Sequence, residues 1–317
     1  GAGFSSVDSF IGTLDLSQRN FLGKGLEVFL RVRGGGQTQQ GVIGITEPWL
    51  FDRPLSAGFD IFLTRRIFTE YTVDSLGGGL RFSHPIMEYA RWHLSYRLTR
   101  DELSDIASNA SRVLLEQEGT TVTSLIGGAL TRDSRDNVFA PTRGSRSSLG
   151  LDVAGLGGDN RFVKTVGAAT YFYPVFWGTI LAARAEAGYG FGYGGKDFPL
   201  FERFYLGGPN SVRSRKARTI SPRDESGTVI GGESELLFNL EHLVPVGFGI
   251  RLATFFDAGN AYGFGTDFDP LELRKAAGVG ARWESPFGPI RVDLGYNLDQ
   301  KSGEKPYQFH FSVGTPF

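Results

Sequence analysis

The chain of 317 residues contains no cysteine, one methionine and four histidines. Without cysteine it forms no disulfide and no thiolate metal site, which fits an oxidising envelope compartment. The histidines show none of the spacings that metal ligands usually have: His84, His93, His242 and His310. The formal net charge of -1 gives no case for a nucleic-acid partner, which would call for a basic patch or stripe. We therefore expect no metal, no cofactor and no nucleic-acid partner.

Helical signals and catalytic motifs are also missing. No run approaches the ~18 consecutive apolar residues that predict a membrane-spanning helix, and helical periodicity is nearly absent. No Gly-x-Ser-x-Gly elbow occurs. Residues 190–197 nearly spell a phosphate-binding loop, but Asp197 stands where that loop needs a hydroxyl residue, and no helix-forming stretch follows. The sequence therefore singles out no enzymatic activity.

Alternation of apolar and polar residues recurs along the chain, which also holds 45 glycines and 27 phenylalanines. In the last predicted strand Tyr307, Phe309, Phe311 and Val313 point one way, because successive side chains of a strand face opposite sides of a sheet. The polar residues between them point the other way. An aromatic outer face and a polar inner face are typical of a closed barrel in lipid with a wet lumen.

Charged residues stay on one face of each predicted strand. Arg291 and Asp293, for example, alternate with Ile290, Val292 and Leu294. A charged side chain on the lipid side of a barrel costs about 2–4 kcal/mol near the middle of the membrane. Their confinement to one face therefore favours a membrane barrel over the alternative, a large soluble β-sandwich.

Strand breaks divide the chain into about sixteen strands. Proline cannot donate to a sheet and glycine permits positive φ, so clusters of these residues end strands. Seven short turns are predicted at residues 20–24, 48–53, 85–88, 137–143, 174–177, 245–247 and 286–289. Eight other connections are predicted at residues 7–8, 34–36, 68–71, 104–119, 156–160, 192–232, 261–272 and 300–305. This pattern predicts a single all-β domain over residues 1–317, a transmembrane antiparallel barrel of about sixteen strands.

Aromatic residues lie at or near several of the predicted short turns: Trp49, Phe51, Trp177 and Phe287. Rings at the end of a barrel strand are placed to lie at the level of the lipid headgroups, as an interfacial girdle. The alternative is local packing within each turn. We predict a girdle in one plane near the rim of short turns.

The first predicted strand, residues 1–6, is short, rich in glycine and weakly patterned. Such a strand specifies its register poorly, although a sequence that starts inside the strand would explain the shortness equally well. It has to close against the last strand, residues 307–316, because unpaired backbone groups are costly in lipid. The sequence therefore predicts a weak seam, with Phe4 facing a position such as Ser312. The predicted seam residues are Gly3, Phe4, Ser5, Phe309, Phe311, Ser312 and Val313.

The longest predicted connection, residues 192–232, is aromatic and rich in glycine at first and then strongly basic. A loop of ~40 residues in a compact domain is usually functional or disordered. Its Gly-Gly-Pro turn at residues 207–209 is constrained, and the flanking strands supply carboxylates on their inward faces. We therefore predict a loop that folds inward rather than a solvated surface loop.

Residues 207–213, Gly-Gly-Pro-Asn-Ser-Val-Arg, closely resemble the G-G-x-x-x-V-R-G-[FY] element of the BamA superfamily of outer-membrane assembly and secretion barrels. The turn D-N-V-F-A-P-T-R-G at 136–144 is similar to that family's D-x-x-x-x-P-x-x-G turn, and S-P-F-G-P at 285–289 is similar to its S-P-[LF]-G-P turn. Phe317 fits the terminal aromatic residue by which such barrels are recognised for assembly. In one departure, Ser214 and Arg215 stand where the family usually has glycine and an aromatic residue.

The resemblance implies a barrel of the bacterial outer membrane with periplasmic POTRA modules upstream of Gly1. It implies a protein that folds and inserts β-barrel precursors through a lateral gate between its first and last strands, without bond-making chemistry. The implied partners are unfolded outer-membrane protein precursors, the lipid bilayer and periplasmic accessory lipoproteins. A two-partner-secretion transporter and a TamA-type barrel share the motifs and are the alternatives, whereas a passive porin would need an open lumen.

The predicted site combines the loop motif with two carboxylates. The motif residues are Gly207, Gly208, Val212 and Arg213. Alternation places Glu241 and Asp257 on the inward faces of neighbouring strands. A guanidinium makes several charge-assisted hydrogen bonds at once, which lysine cannot reproduce in the same geometry. We therefore predict that Arg213 reaches into the lumen and pairs with Asp257 and Glu241.

Overall fold

The computed structural model describes residues 1–106, 112–264, 268–286 and 288–314, and these residues form a closed antiparallel barrel. The strands are β1 (Ala2–Ser5), β2 (Ser9–Phe21), β3 (Leu26–Gly35), β4 (Thr38–Glu47), β5 (Ser56–Ile67), β6 (Thr72–Met87), β7 (Ala90–Ser104), β8 (Gly119–Asp133), β9 (Gly144–Gly158), β10 (Phe162–Pro174), β11 (Ile180–Gly192), β12 (Ser234–Gly247), β13 (Ile250–Tyr262), β14 (Arg274–Ser285), β15 (Gly288–Asn297) and β16 (Tyr307–Val313). Each strand pairs with the next, and β16 returns to β1. The predicted sixteen-stranded fold is confirmed.

In the part of the chain that the structure describes, helical structure is confined to short pieces. One helix, α1 (Arg112–Leu115), lies between β7 and β8, and single 3-10 turns occur at Leu50–Asp52, Phe176–Gly178 and Leu200–Glu202. Within the described ranges, no helix has the length and apolar character needed to cross a bilayer.

The two faces of the sheet differ as the alternation predicts. On β12 and β13 the side chains of Phe238, Leu240 and Phe256 are exposed, whereas Asp257, next to Phe256, is fully buried. The exposed apolar face is the outer one, since apolar surface is tolerated in contact with lipid and charge is not. The polar face lines the interior of the closed sheet.

Aromatic rings of the inner wall lie over glycines of the neighbouring strand. A Cβ atom added to Gly44 of β4 would lie 2.6 Å from the Phe29 ring, and one added to Gly77 of β6 would lie 2.6 Å from the Phe62 ring. Only glycine leaves room for such an approach. Each ring thereby packs against the backbone of the next strand.

Two of the predicted short turns begin later than the prolines indicate. β6 continues through Pro85 to Met87 and β12 continues through Pro245 to Gly247, with a register shift at each proline. The register shift leaves the residue after each proline, Ile86 and Val246, out of the ladder, and such a bulge lets the strand continue past the proline. The predicted breaks at 85–88 and 245–247 are therefore displaced toward the following residues.

At the rim opposite the short turns, apolar side chains from separate connections pack together. Tyr71, Leu114 and Leu200 are buried in one cluster, to which α1 contributes Leu114. The amide of Leu200 also donates to Oε1 of Gln117 at 3.0 Å. The long 192–232 connection is thereby anchored to the connections that follow β5 and β7.

Within the described residues, the ladder between β1 and β16 has two residue pairs, Phe4 with Val313 and Ser5 with Ser312. The expectation that Phe4 faces Ser312 is wrong by one residue, because strand register depends on non-local pairing that the weakly patterned residues 1–6 do not specify. β1 is shorter than predicted, and β16 ends at Val313. Phe317, the predicted recognition residue, lies outside the described residues.

The aromatic residues of the short turns generate a testable prediction. Trp49, Phe51 and Trp177 are strongly exposed, and Trp177 is 91% exposed; Phe287 lies outside the described residues. The variant for this test retains Trp177 and carries Trp49→Phe, Trp92→Phe and Trp283→Phe. In bilayers of brominated lipids, we expect lipids brominated near the headgroup to quench the Trp177 fluorescence more than lipids brominated near the end of the acyl chain. Stronger quenching by the deep label would contradict the girdle.

Candidate functional site

The side chain of Arg213, in the long connection, is almost fully buried against two strands of the inner wall. Its Nε donates to Asp257 Oδ2 at 2.9 Å and its Nη2 to Asp257 Oδ1 at 2.7 Å, a bidentate arrangement. The Nη1 atom donates to Glu241 Oε2 at 2.7 Å. The backbone N of Arg213 donates to Asp257 Oδ2 at 3.0 Å. The structure thus brings together Arg213 and both carboxylates that the alternation placed on the inward faces.

Neighbouring polar residues complete the network. Asn239 donates to Asp257 Oδ1 at 2.8 Å. Arg282 of β14 donates to Glu241 Oε1 at 2.9 Å and lies 2.8 Å from Asp293 Oδ1. Asp293 of β15 is fully buried, and its Oδ1 lies 3.7 Å from Arg213 Nη1. Asp257 and Glu241 are therefore each shared by at least two donors, which offsets the cost of burying them. Asp293 accepts from Arg291 Nε at 2.6 Å and lies between the charges of Arg282 and Arg213.

The sequence prediction missed Arg282, Asp293 and His310 as members of this site. Their inward orientation follows from the alternation, so the signal was present. The cross-strand register decides which inward residues meet, and it places Asp293 beside both Gly280 and His310. A register assignment for β14, β15 and β16 would have found them.

An aromatic ring lies against the Arg213 guanidinium. The Arg213 Cζ atom lies 3.4 Å from the centroid of the Phe255 ring, a cation–π contact that gains strength away from water. The Phe255 ring in turn occupies the space above Gly278, where an added Cβ would lie 2.4 Å from it. The guanidinium is thus fixed by carboxylates at its donors and by a ring at its face.

The charge of Arg213 is retained despite its burial. Burial acts to lower the pKa of the guanidinium, but the hydrogen bonds to Asp257 and the charges of Asp257, Glu241 and Asp293 raise the pKa above its ordinary value. This shift of the pKa favours the cationic form of the guanidinium. The arrangement is a permanent ionic anchor rather than a group that exchanges protons.

The glycines of the motif allow its backbone to turn. Gly207 and Gly208 adopt φ values of 101° and 99°, which residues with a Cβ rarely adopt. The Gly207 amide donates to Ser211 Oγ at 2.9 Å. Val212 is fully buried with Leu206, Ile220, Leu237 and Ala276. The turn and this apolar contact together place Arg213 next to its carboxylates.

The backbone of the motif lies directly on the last two strands. A Cβ added to Gly295 of β15 would lie 2.4 Å from the Arg213 carbonyl oxygen. On β16, His310 Nε2 lies 3.1 Å from the same oxygen. Arg291 donates to the Pro209 carbonyl at 2.5 Å and to Asn210 Oδ1 at 3.0 Å. The motif thus contacts the C-terminal side of the seam from within the barrel.

At the seam itself few groups connect the two strands. The Phe4 and Phe311 rings have centroids 6.2 Å apart, and Phe309 is exposed on the outer face. Beyond Ser5, the Ser6 amide donates to the Phe311 carbonyl at 2.8 Å, and the Phe311 amide reaches Ser6 Oγ at 3.4 Å. Gly3 pairs with Ile11 of β2 rather than with β16.

In the ranges that the structure describes, no three His, Asp or Glu side chains converge in a way that could hold a metal ion.

A family model described as the Omp85 superfamily domain matches residues 20–317. The chain belongs to the Omp85 superfamily. This Omp85 chain is 34% identical over 325 residues to the outer membrane protein assembly factor BamA of Nitratidesulfovibrio vulgaris, with coverage of 100% of this chain and 41% of that protein. It is 28% identical over 328 residues to BamA of Neorickettsia risticii, with coverage of 99% and 44%.

Among solved structures, the Omp85 chain is similar to the crystal structure of BamA from Haemophilus ducreyi lacking POTRA domains 1–3. The TM-score is 0.90 at 20% identity, with coverage of 100% of this chain and 69% of that chain. This likeness shows a common barrel fold. The chain spans less than half the length of these two curated relatives. It is an integral β-barrel of the bacterial outer membrane.

The ionic anchor yields a stability prediction. Arg213→Ala removes two donors from the fully buried Asp257 and one from Glu241, so we expect the free energy of unfolding in urea to fall by about 3–5 kcal/mol. Arg213→Lys keeps the charge but cannot form the bidentate fork, so its loss should be intermediate.

Lys216→Ala, in the same connection, is the matched control, because Lys216 is exposed and forms no ion pair within the described residues. An Arg213→Ala barrel that unfolds at the same urea concentration as the control would show that the anchor is dispensable.

Proposed function

We propose that this barrel folds and inserts outer-membrane β-barrel precursors through a lateral gate between β1 and β16. The observation that carries the proposal is the seam of two residue pairs. On the other side of β16, pairing with β15 runs from Ile290 with Val313 to Tyr296 with Tyr307. A net hydrogen bond contributes only about 0.5–1.5 kcal/mol, so the seam is the pairing that separates at least cost.

The seam also leaves part of β16 without a partner on one side. Within the described residues, the stretch from Tyr307 to His310 pairs with β15 and not with β1. An edge with free backbone groups is costly in lipid and accepts an additional strand by β-augmentation. Because main-chain groups do the pairing, such an edge accepts client strands of many sequences.

The proposed partners follow from this mechanism. Unfolded outer-membrane protein precursors supply the added strand, and the lipid bilayer receives the product. Periplasmic accessory lipoproteins, which the family resemblance implies, are part of the proposal. The relatives named as outer membrane protein assembly factors support it. The proposed activity makes and breaks no covalent bond.

The long connection supports insertion at the seam over export through the lumen. Its motif is hydrogen-bonded to the inner wall through Arg213. Its residue Leu200 packs with Tyr71 and Leu114, which lie in the connections that follow β5 and β7. A secretion transporter of the two-partner type would have to displace both sets of contacts before a client could pass.

The gate is tested by closing it with a disulfide. The register opposes Ser5 to Ser312, and the chain has no native cysteine, so Ser5→Cys with Ser312→Cys introduces the only disulfide available. We expect the oxidised protein, reconstituted in liposomes, to lose insertion of an unfolded barrel precursor and to regain it after reduction.

The matched control is Thr131→Cys with Ser148→Cys, which are opposed between β8 and β9. This pair should insert clients equally well when oxidised and reduced. Full activity of the oxidised Ser5–Ser312 variant would overturn the gate.

A further inference from the structure

Arg215 stands where the superfamily motif usually has an aromatic residue. Its guanidinium forms an ion pair with Glu304, which is separate from the carboxylates that bind Arg213. Its Nη1 lies 2.5 Å from Glu304 Oε1 and its Nη2 donates to Glu304 Oε2 at 2.6 Å. The two groups are partly buried. Such a bidentate fork fixes both orientation and distance between its two elements.

Glu304, in the connection between β15 and β16, is held by further donors. Arg274 of β14 donates to its Oε2 at 2.7 Å, and the Lys301 amide donates to the same atom at 2.6 Å. Burial acts to raise the pKa of Glu304, but the Lys301 amide and the Arg215 guanidinium hold the pKa below its ordinary value. The carboxylate is thus the point where the motif, β14 and this connection meet.

The same connection leads directly into β16. The Asn297 amide, at the end of β15, donates to the Pro306 carbonyl at 2.8 Å, and β16 begins at the next residue, Tyr307. The Asn297 side chain, oriented to satisfy both neighbours, accepts from Arg215 at 3.2 Å and donates to Asp299 at 2.8 Å. The Arg215 fork therefore fixes the chain at the start of the gate strand.

The two sides of the seam are held unequally. From inside the barrel, β16 is held in its middle by the contact of His310 with the Arg213 carbonyl and near its start through Glu304. Across the described residues, β1 has no hydrogen bond or ion pair with the 192–232 connection; its backbone pairs with β2 and β16.

We infer that Arg215 is a positioning residue that, with Glu304, holds β16 as the fixed side of the gate, so that β1 is the side that moves. The structural part of this inference stands on the contacts alone, and its effect on client insertion rests on the proposed function.

Spin-label distances test the structural part in the protein reconstituted in liposomes. One label pair joins Phe309 of β16 to Leu130 of β8, and the second joins Phe4 of β1 to Leu130; all three side chains are exposed on the outer face. We expect a narrow distance distribution for the β16 pair and a broad one for the β1 pair. Arg215→Ala should broaden the β16 distribution and leave the β1 distribution unchanged.

Glu304→Ala should broaden the β16 distribution at least as much, since it also removes the acceptor of Arg274 and of the Lys301 amide. The double variant should broaden the distribution no further than Glu304→Ala alone. Lys216→Ala is the control and should change neither distribution. If Arg215→Ala does not fold, Glu304→Gln offers a milder loss of the same fork, with the same broadening expected. An unchanged β16 distribution in the folded variants would overturn the inference.

Client insertion is measured on the same samples. We expect Arg215→Ala to insert an unfolded barrel precursor about tenfold more slowly, in line with the loss of a charge-assisted pair. If β16 loosens and insertion is unaffected, a fixed β16 is not needed for the activity and the functional part of the inference fails. If the unaltered protein itself inserts no client, the proposed function fails, whereas the distance result still decides the role of Arg215.

Discussion

The structure depends on one requirement of the bilayer: every backbone N–H and C=O group within the hydrocarbon has to find a partner in the protein. A sheet satisfies it only by closing on itself, and the chain closes with sixteen antiparallel strands. Along most of the wall, neighbouring strands form long ladders of backbone hydrogen bonds. The ladder is short at one place, where the four residues of β1 meet β16. Because the deficit is concentrated at a single seam, the rest of the barrel can stay intact while that seam separates.

Buried charge is the second determinant of this architecture. Arg213, Arg282, Glu241, Asp257 and Asp293 lie close together on the inner wall. Isolated, each would carry a large desolvation cost, and together they compensate one another. The motif of the long connection completes this balance, since the carboxylates of three strands face its one guanidinium. The connection therefore contributes to the stability of the barrel wall, although it belongs to no strand.

Much of the fold could be predicted from the sequence, because the determinants of each strand are local. Alternation identified the outer and inner faces, and proline and glycine marked the connections. The failures concern non-local geometry. Pro85 and Pro245 lie within strands whose register shifts directly after the proline, and the pairing of Ser5 with Ser312 depends on barrel closure. Within the site, the pairing of Arg213 with its two carboxylates could be predicted from their opposite charges and from the alternation that directs the carboxylates inward. Asp293 and His310 required knowledge of the register.

The rings that lie over glycines have a consequence for a barrel that opens. Phe29 over Gly44, Phe62 over Gly77 and Phe255 over Gly278 each fit one glycine of the adjacent strand. If β3 and β4 slid past each other by two residues, the Phe29 ring would meet the side chain of Val42 or Thr46 instead of the vacant position at Gly44. Backbone hydrogen bonds alone would not oppose such sliding, since every residue except proline offers the same N–H and C=O groups. The Phe29–Gly44 contact therefore favours a single alignment of β3 and β4, and a seam that opens as proposed can close again with these two strands at their original height.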